Sequence, residues 1–136
     1  MFPDDLTTEV LTASLRGHNA RNTAIANNIA NAETPGYKRM DVNFEAALAD
    51  AVQTDRARLS RDPGLMTSFD MARPSALDDV APAVQTTDTT TLRVDGSNVD
   101  PDAEMAELSA NTLAYNTVVS LLDKRFGQFR TAIMGR

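Results

Sequence analysis

The sequence contains one histidine and no cysteine among its 136 residues, which restricts the chemistry that its side chains can perform. Activated nucleophiles and zinc sites draw mainly on these residue types, and His18 has no second histidine, cysteine or carboxylate pair at a metal-binding spacing. The chain also lacks a glycine-rich phosphate loop, an H-E-x-x-H zinc motif and a G-x-S-x-G nucleophile turn. We therefore expect no catalytic residue, no metal and no cofactor, and we interpret His18 as a structural residue.

Carboxylates are abundant, so their number alone would permit an acid pair of the glycosidase type. Eleven of the 19 acidic residues lie between residues 41 and 100, and this segment carries the whole net charge of −6 because both ends are balanced. Its hydrophobic pattern is the weakest in the chain, whereas a catalytic pair needs rigid placement. The composition therefore argues against an enzyme with a small-molecule substrate. Since no basic patch stands out, it also argues against binding to nucleic acid.

The strongest pattern is a heptad repeat in the C-terminal segment, residues 100–136. Its members are separated alternately by three and four residues, and they are Met105, Leu108, Thr112, Tyr115, Val119, Leu122, Phe126, Phe129 and Ile133. A period of 3.5 residues predicts a helix that packs along a partner helix. Asp100 and Pro101 are typical of the N-cap and the first helical position, so the helix is predicted to begin there.

A second long helix is predicted over residues 4–31. Its heptad positions are Leu11, Leu15, His18, Asn22, Ile25 and Ile29. The two polar members either fix the register of a helix seam or point to solvent while another stripe packs. Asn31 is expected to end the helix in the left-handed conformation, and Pro35 and Gly36 are expected at the centre of a type II turn.

Between these helices the pattern is weaker. A short helix is predicted from Asn43, its cap, to Val52, and no helical period follows from Gln53 to Asn98. The Thr-rich run of residues 84–94 favours an extended or hairpin segment, with a flexible loop as the alternative. The predicted fold is mainly α, with the long terminal helices forming a coiled-coil-like pair. It comprises an N-terminal helix (1–34), a middle with a turn, a short helix and an extended segment (35–99), and a C-terminal heptad helix (100–136).

The sequence favours neither a large hydrophobic core within a single chain nor a membrane-spanning segment. Aromatic residues make up 5% of the chain, and there is no tryptophan. No apolar run reaches 18 residues, so no membrane span is expected. Acidic residues at positions 4, 5 and 9 lie where a cleavable secretory signal needs basic and apolar ones. We therefore expect the heptad surfaces to be completed by neighbouring subunits.

Two stretches resemble a known family. The first runs from residue 28 to 39 and contains Asn28, Ile29, Ala30, Asn31, Thr34, Pro35, Gly36 and Tyr37. The second runs from Asp95 to Asp100 and continues through Glu104 to Leu108. Together they are similar to the paired terminal signatures of the bacterial flagellar axial proteins, which form the rod, hook and filament cap. The short middle segment and the C-terminal stretch are most similar to subunits of the proximal rod.

The resemblance implies a structural subunit of a hollow drive shaft in the flagellar basal body. Such subunits leave the cytoplasm uncleaved through the flagellar type III export apparatus and stack helically, with both terminal helices in the inner wall. The implied partners are other copies of the chain, other rod subunits, and the base adaptor, MS-ring and export-gate proteins at the rod base. Phe2 and Leu6 have the spacing of a short export-gate recognition pattern.

Two other functions compete with this one. A cytosolic helical-hairpin adaptor or export chaperone would pair the two heptad helices within one chain. A cell-wall lytic enzyme would need a specific pair of acidic residues, and the sequence pattern indicates no such pair.

Overall fold

The computed structural model describes residues 6–61, 75–87 and 96–135. In chain order, the elements are helix α1 (Leu6–Ala30), strand β1 (Met40–Asn43), helix α2 (Glu45–Arg61), strand β2 (Ala83–Thr86) and helix α3 (Pro101–Met134). The predicted mainly α fold is confirmed, with two long terminal helices and a small two-stranded sheet in the middle. No helix in these ranges combines the length and apolar character needed to cross a membrane.

Helix α3 begins and ends with well-formed caps. The Asp100 carboxylate accepts a hydrogen bond from the N–H of Asp102 at 3.1 Å, and Pro101 occupies the first turn, as predicted. At the other end Gly135 adopts the left-handed conformation with φ 66°, and its N–H donates to the Thr131 carbonyl at 3.0 Å. With 34 residues the helix is about 51 Å long.

The end of α1 differs from the prediction for Asn31. No described residue other than glycine has a positive φ, so Asn31 is not in the left-handed conformation. Its N–H instead donates to the carbonyls of Asn27 and Asn28, and the N–H of Ala32 donates to that of Ile29. These bonds tighten the last turn toward 3₁₀ geometry, which removes the need for a left-handed cap.

The turn after α1 lies where the sequence predicts it. The Tyr37 N–H donates to the Thr34 carbonyl at 3.2 Å, which closes a four-residue turn. Gly36 occupies its third position with φ 73°. A positive φ at this position is the signature of a type II turn, and glycine adopts it without a steric penalty.

The prediction of a short helix from Asn43 to Val52 is wrong at both ends. Asn43 belongs to β1, and α2 continues to Arg61. Residues 53–61 lack an apolar period but are rich in good helix formers, which sustain the helix by propensity. A tertiary contact also supports it, since the buried Asp55 accepts hydrogen bonds from the Ser75 hydroxyl at 2.8 Å and the Ala76 N–H at 3.0 Å.

Strand β2 lies at the start of the run predicted to be extended, but its partner is distant in sequence. It pairs antiparallel with β1, with Met40 opposite Thr86 and Asn43 opposite Ala83. The remainder of the Thr-rich run, from residue 88, lies outside the described residues, as does Phe2 of the export pattern. Within the described residues, the extended segment therefore forms a sheet with the chain that follows the α1 turn.

Helices α1 and α3 pack antiparallel. His18 contacts Asn111, and Asn28 contacts Glu104, so position along α1 rises as position along α3 falls. A small core of Ala24, Val42 and Phe44 covers one side of α1. Gly17 lets the Phe44 ring pack closely against α1, because a Cβ at position 17 would overlap that ring.

Candidate functional site: the junction of the terminal segments

The two family-like stretches meet in space, and we call their meeting point the signature junction: Asn28, Tyr37 and Arg39 from the first stretch, with Asn98 and Glu104 from the second. Asn28 lies at its centre and is fully buried. Its amide nitrogen donates to the Met40 carbonyl at 2.7 Å and to the Glu104 carboxylate at 3.0 Å. Its amide oxygen accepts from the Met40 N–H at 2.8 Å and from the Tyr37 hydroxyl at 3.3 Å. One asparagine therefore joins α1, β1, the turn and α3.

Arg39 is the charged partner of this asparagine network. Its guanidinium contacts the Glu104 and Glu107 carboxylates, each at 2.5 Å. Burial lowers the pKa of Arg39, but the hydrogen bond and charge of Glu104, together with the charge of Glu107, raise it more, so the net pKa is above its usual value. Glu104 is buried, so removing the arginine would leave a buried carboxylate without its cation.

The loop before α3 is tied to the same place through backbone groups. The Asn98 side chain accepts from the Arg39 N–H at 2.7 Å and donates to the Thr87 carbonyl at 2.6 Å. Lys38 donates to the Gly96 carbonyl at 3.1 Å. Gly96 has φ 83°, and a Cβ there would lie 3.9 Å from the Gly36 Cα, so the two glycine turns are adjacent. The loop and the turn therefore hold each other in place.

A second polar group lies further along the α1–α3 seam. The Asn111 side chain donates to the His18 carbonyl at 2.9 Å and to the Asn22 side chain at 2.7 Å. Its oxygen lies 2.6 Å from His18 Nδ1. The His18 ring also meets the Phe44 ring edge to face at 5.1 Å. Both polar heptad members of α1 thus bond within the helix pair, in keeping with the interpretation of His18 as structural.

The structure divides the predicted heptad of α3 into two rows. Leu108, Tyr115, Leu122 and Phe129 are half-buried. The other row is exposed, at 60% for Met105, 40% for Val119, 47% for Phe126 and 68% for Ile133, and we call it the exposed row. In the first two heptads, Glu104 and Asn111 take its place in the seam, each one residue earlier than the exposed residue, because their polar groups bond to residues of α1.

The N-terminal candidates are also divided. Ile25 is buried, while Leu11, Leu15 and Ile29 are half-buried along α1. Of the signature residues, Ala30, Thr34, Pro35 and Gly36 are exposed, and Asn31 and Tyr37 are half-buried. The sequence reading missed Arg39, Asn98, Glu104 and Asn111 as contact residues. For Glu104 and Asn111, the sequence did contain a signal: they are seven residues apart, and each lies next to a member of the apolar heptad.

This arrangement can bind and position helices, and no described residues suggest chemistry. Among residues 6–61, 75–87 and 96–135, no group of three potential metal ligands converges. The polar atoms at the signature junction satisfy each other. The described residues therefore form a polar joint between α1, β1 and α3, with the exposed row beside it.

Residues 19–38, which contain the end of α1, the turn and most of the first signature, match the family described as flagella basal body rod protein. Over these residues the chain is similar to the class of flagellar rod proteins. A FlgB rod protein from Cereibacter sphaeroides is 36% identical over 117 residues, which cover 85% of this chain and 84% of the relative.

FlgB proteins of other bacteria are similar as well. FlgB from Bacillus subtilis is 32% identical over 82% of this chain and 80% of its own length. FlgB from Escherichia coli is 33% identical over 75% of this chain and 74% of its own length. The chain therefore belongs to the FlgB family of flagellar basal body rod proteins, as its terminal signatures predict.

Proposed function

We propose that the chain is a structural subunit of the proximal rod, which assembles helically with copies of itself and with other rod subunits into a hollow shaft. The shaft transmits torque and lets exported subunits pass. The observation that supports this most directly is the exposed row of α3. An apolar row with a heptad period along a helix is a surface that favours a neighbouring helix.

Assembly couples to ordering of the helix. Exposed side chains such as Val119 and Phe126 would each contribute on the order of 1–2 kcal/mol when a neighbouring helix covers them. Until then the distal part of α3 has little tertiary support and frays. A monomer with frayed ends suits passage through a narrow type III export channel without cleavage. It also delays polymerisation until subunits reach the growing rod, where the base adaptor, MS-ring and export-gate proteins are the neighbours at the rod base.

The exposed row provides a direct test with a matched control. Val119→Asp should abolish incorporation into basal bodies, because it places a charge in the apolar row while touching no contact of the α1–α3 seam. Ser120→Asp adds the same charge one residue away, outside the heptad rows, and should assemble normally. Motility and the subunit content of purified basal bodies are the readouts, with export into the medium measured in parallel. Normal rods built from the Val119 variant would refute the proposal.

The alternative of a cytosolic helical-hairpin adaptor or export chaperone has one observation in its favour, the pairing of α1 with α3 within a single chain. Circular dichroism of the purified monomer separates the two. An adaptor would melt cooperatively from a highly helical state, whereas a rod subunit should lose helix gradually from its ends before the junction unfolds.

A further inference from the structure

A polar cleft opens on the other side of the α1–α3 seam from the exposed row. It has a volume of about 490 Å³ and lies between α1, β1 and the middle of α3. Its wall on α3 includes Ala110 and Ala114, whose small side chains let another chain approach closely. The proposed function above leaves this cleft without a role.

The cleft has an excess of hydrogen-bond acceptors. Arg21 pairs with Glu45 at 2.6 Å, and Arg39 pairs with Glu107, so both guanidinium groups are neutralised. Asp41 forms no direct ion pair with a described residue, although its charge lies near both guanidinium groups, and its carboxylate accepts the Val42 N–H at 2.8 Å. With Glu45 and Glu107 it gives the cleft three carboxylates against two guanidinium groups. A guest that carries a cationic side chain would complete the charge balance.

The end of α3 has the complementary chemistry. The helices are antiparallel, and His18 lies level with Asn111. Leu6, 12 residues before His18, therefore lies level with about residue 123 of α3. Beyond that point α3 continues for about 12 residues, or roughly 18 Å. Lys124 and Arg130 on this projecting end form no ion pair with a described residue. Phe126 and Ile133 are exposed beside them. The projecting end is thus both basic and apolar.

We propose that the projecting end of α3 in one copy docks into the polar cleft of a second copy, with Arg130 facing Asp41. This inference rests on the proposed function. A single chain cannot make this contact, since Arg130 lies 19 residues beyond Asn111, about 28 Å along the helix. Different surfaces meet in the two copies, so the contact is heterologous. It propagates along the shaft without closing on itself.

The absence of cysteine makes cross-linking a clean test. Ala110→Cys places a thiol in the cleft, and Met134→Cys places one on the exposed face of the projecting end, one turn from Arg130. In basal bodies assembled from both single variants, mild oxidation should give a disulfide-linked dimer containing one of each. A chain carrying both substitutions should give a ladder of higher multimers, because its own two thiols lie too far apart to pair. Ser120→Cys combined with Ala110→Cys is the control and should give neither product.

Charge reversal then tests the recognition itself. Asp41→Arg in the cleft copy, or Arg130→Asp in the docking copy, should reduce the cross-linked fraction about threefold, the size expected for an exposed ion pair. Mixing the two reversed partners should restore it. A cross-linked fraction unchanged by both reversals would overturn the proposed pairing of Arg130 with Asp41.

The remaining outcomes separate this inference from the proposed function. Incorporation into basal bodies without the mixed disulfide, disulfides only between identical positions, or an adduct with a different protein would overturn the docking proposal and leave the rod assignment standing. Absence of the chain from basal bodies would overturn both.

Discussion

At the scale of single residues, the polar side chains of the junction specify how the terminal segments meet. Asn28 satisfies four groups on β1, the turn and α3 from one buried position. An apolar residue there could not distinguish one register of the helices from another, whereas an amide demands partners at fixed positions. Specificity at this joint therefore depends more on hydrogen bonds than on buried area.

Asn28→Ala should lower the free energy of unfolding by about 2 to 4 kcal/mol, since it removes one of the two partners of the buried Glu104 carboxylate and the amide that bonds both Met40 backbone groups. Asn27→Ala is the matched control on the exposed side of the same helix and should change it by less than about 0.5 kcal/mol. Urea unfolding followed by circular dichroism measures both. Equal effects of the two substitutions would contradict the central role of Asn28.

Glu45 should make stability depend on pH. Its hydrogen bond from Arg21 lowers the pKa, against an opposing effect of burial, and the backbone N–H groups of Glu45 and Phe44 lower it further. Because the folded pKa lies below the unfolded value of about 4.3, the stabilisation is present above pH 4.3 and is lost as the pH falls through the folded pKa. The difference in melting temperature between the parent chain and Glu45→Gln should therefore be largest near pH 7 and vanish near pH 2.

Asp50, which is exposed on the same helix and forms no ion pair with a described residue, supplies the control. Asp50→Asn should leave the melting temperature close to that of the parent across the same pH range. If the difference in melting temperature between the parent chain and Glu45→Gln were the same at every pH, the ion pair with Arg21 would not contribute to stability.

At the scale of elements, the turn after α1 directs the chain from the helix into β1. Gly36 holds the positive φ that this change of direction requires, and the adjacent Gly96 turn packs against it. The strand that follows brings Arg39 to Glu104. The turn thus links local backbone conformation to the long-range joint.

Gly36→Val should destabilise the chain by about 1–2 kcal/mol or more, because a β-branched residue is strained at positive φ, and it should impair rod assembly. Gly127→Ala is an instructive contrast: it lies within α3 with nothing near its added Cβ, so it should stabilise the helix by about 0.5–1 kcal/mol. Thermal unfolding and the yield of assembled rods are the measurements. Normal stability and assembly of the Gly36 variant would show that the positive φ is not required.

At the scale of the whole molecule, stability is distributed unevenly. The junction ties the end of α1 to the start of α3, and the Asn111 group ties α3 to the middle of α1. About a dozen residues at the end of α3 extend past Leu6, the first described residue of α1. Four large apolar side chains of α3, those of the exposed row, are open to solvent. The chain is therefore organised around a polar joint that holds two incomplete helix surfaces in a defined relation.

Hydrogen exchange should reveal this gradient in the isolated chain. Amides of residues 22–30 and 104–111 should be the most protected, and those of residues 124–134 should exchange at least about tenfold faster, since local opening there breaks few tertiary contacts. In assembled rods the distal amides should become protected as well. Uniform protection of α3 in the monomer would contradict the idea that neighbours complete the helix.

The sequence by itself determined the features that local physics controls. The N-cap of α3, the glycine turn, the mainly α fold and the family signatures all follow from residue types at short spacings. The apolar period also predicted packing positions at Leu108, Tyr115, Leu122 and Phe129, which are half-buried in the structure. The apolar period did not predict that Glu104 and Asn111, and not the exposed row, occupy the α1–α3 seam. Their partners lie 76 and 93 residues away in sequence. The full length of α2 and the pairing of β2 with β1 were likewise decided by tertiary structure, through contacts such as Asp55 with Ser75 that no local pattern encodes.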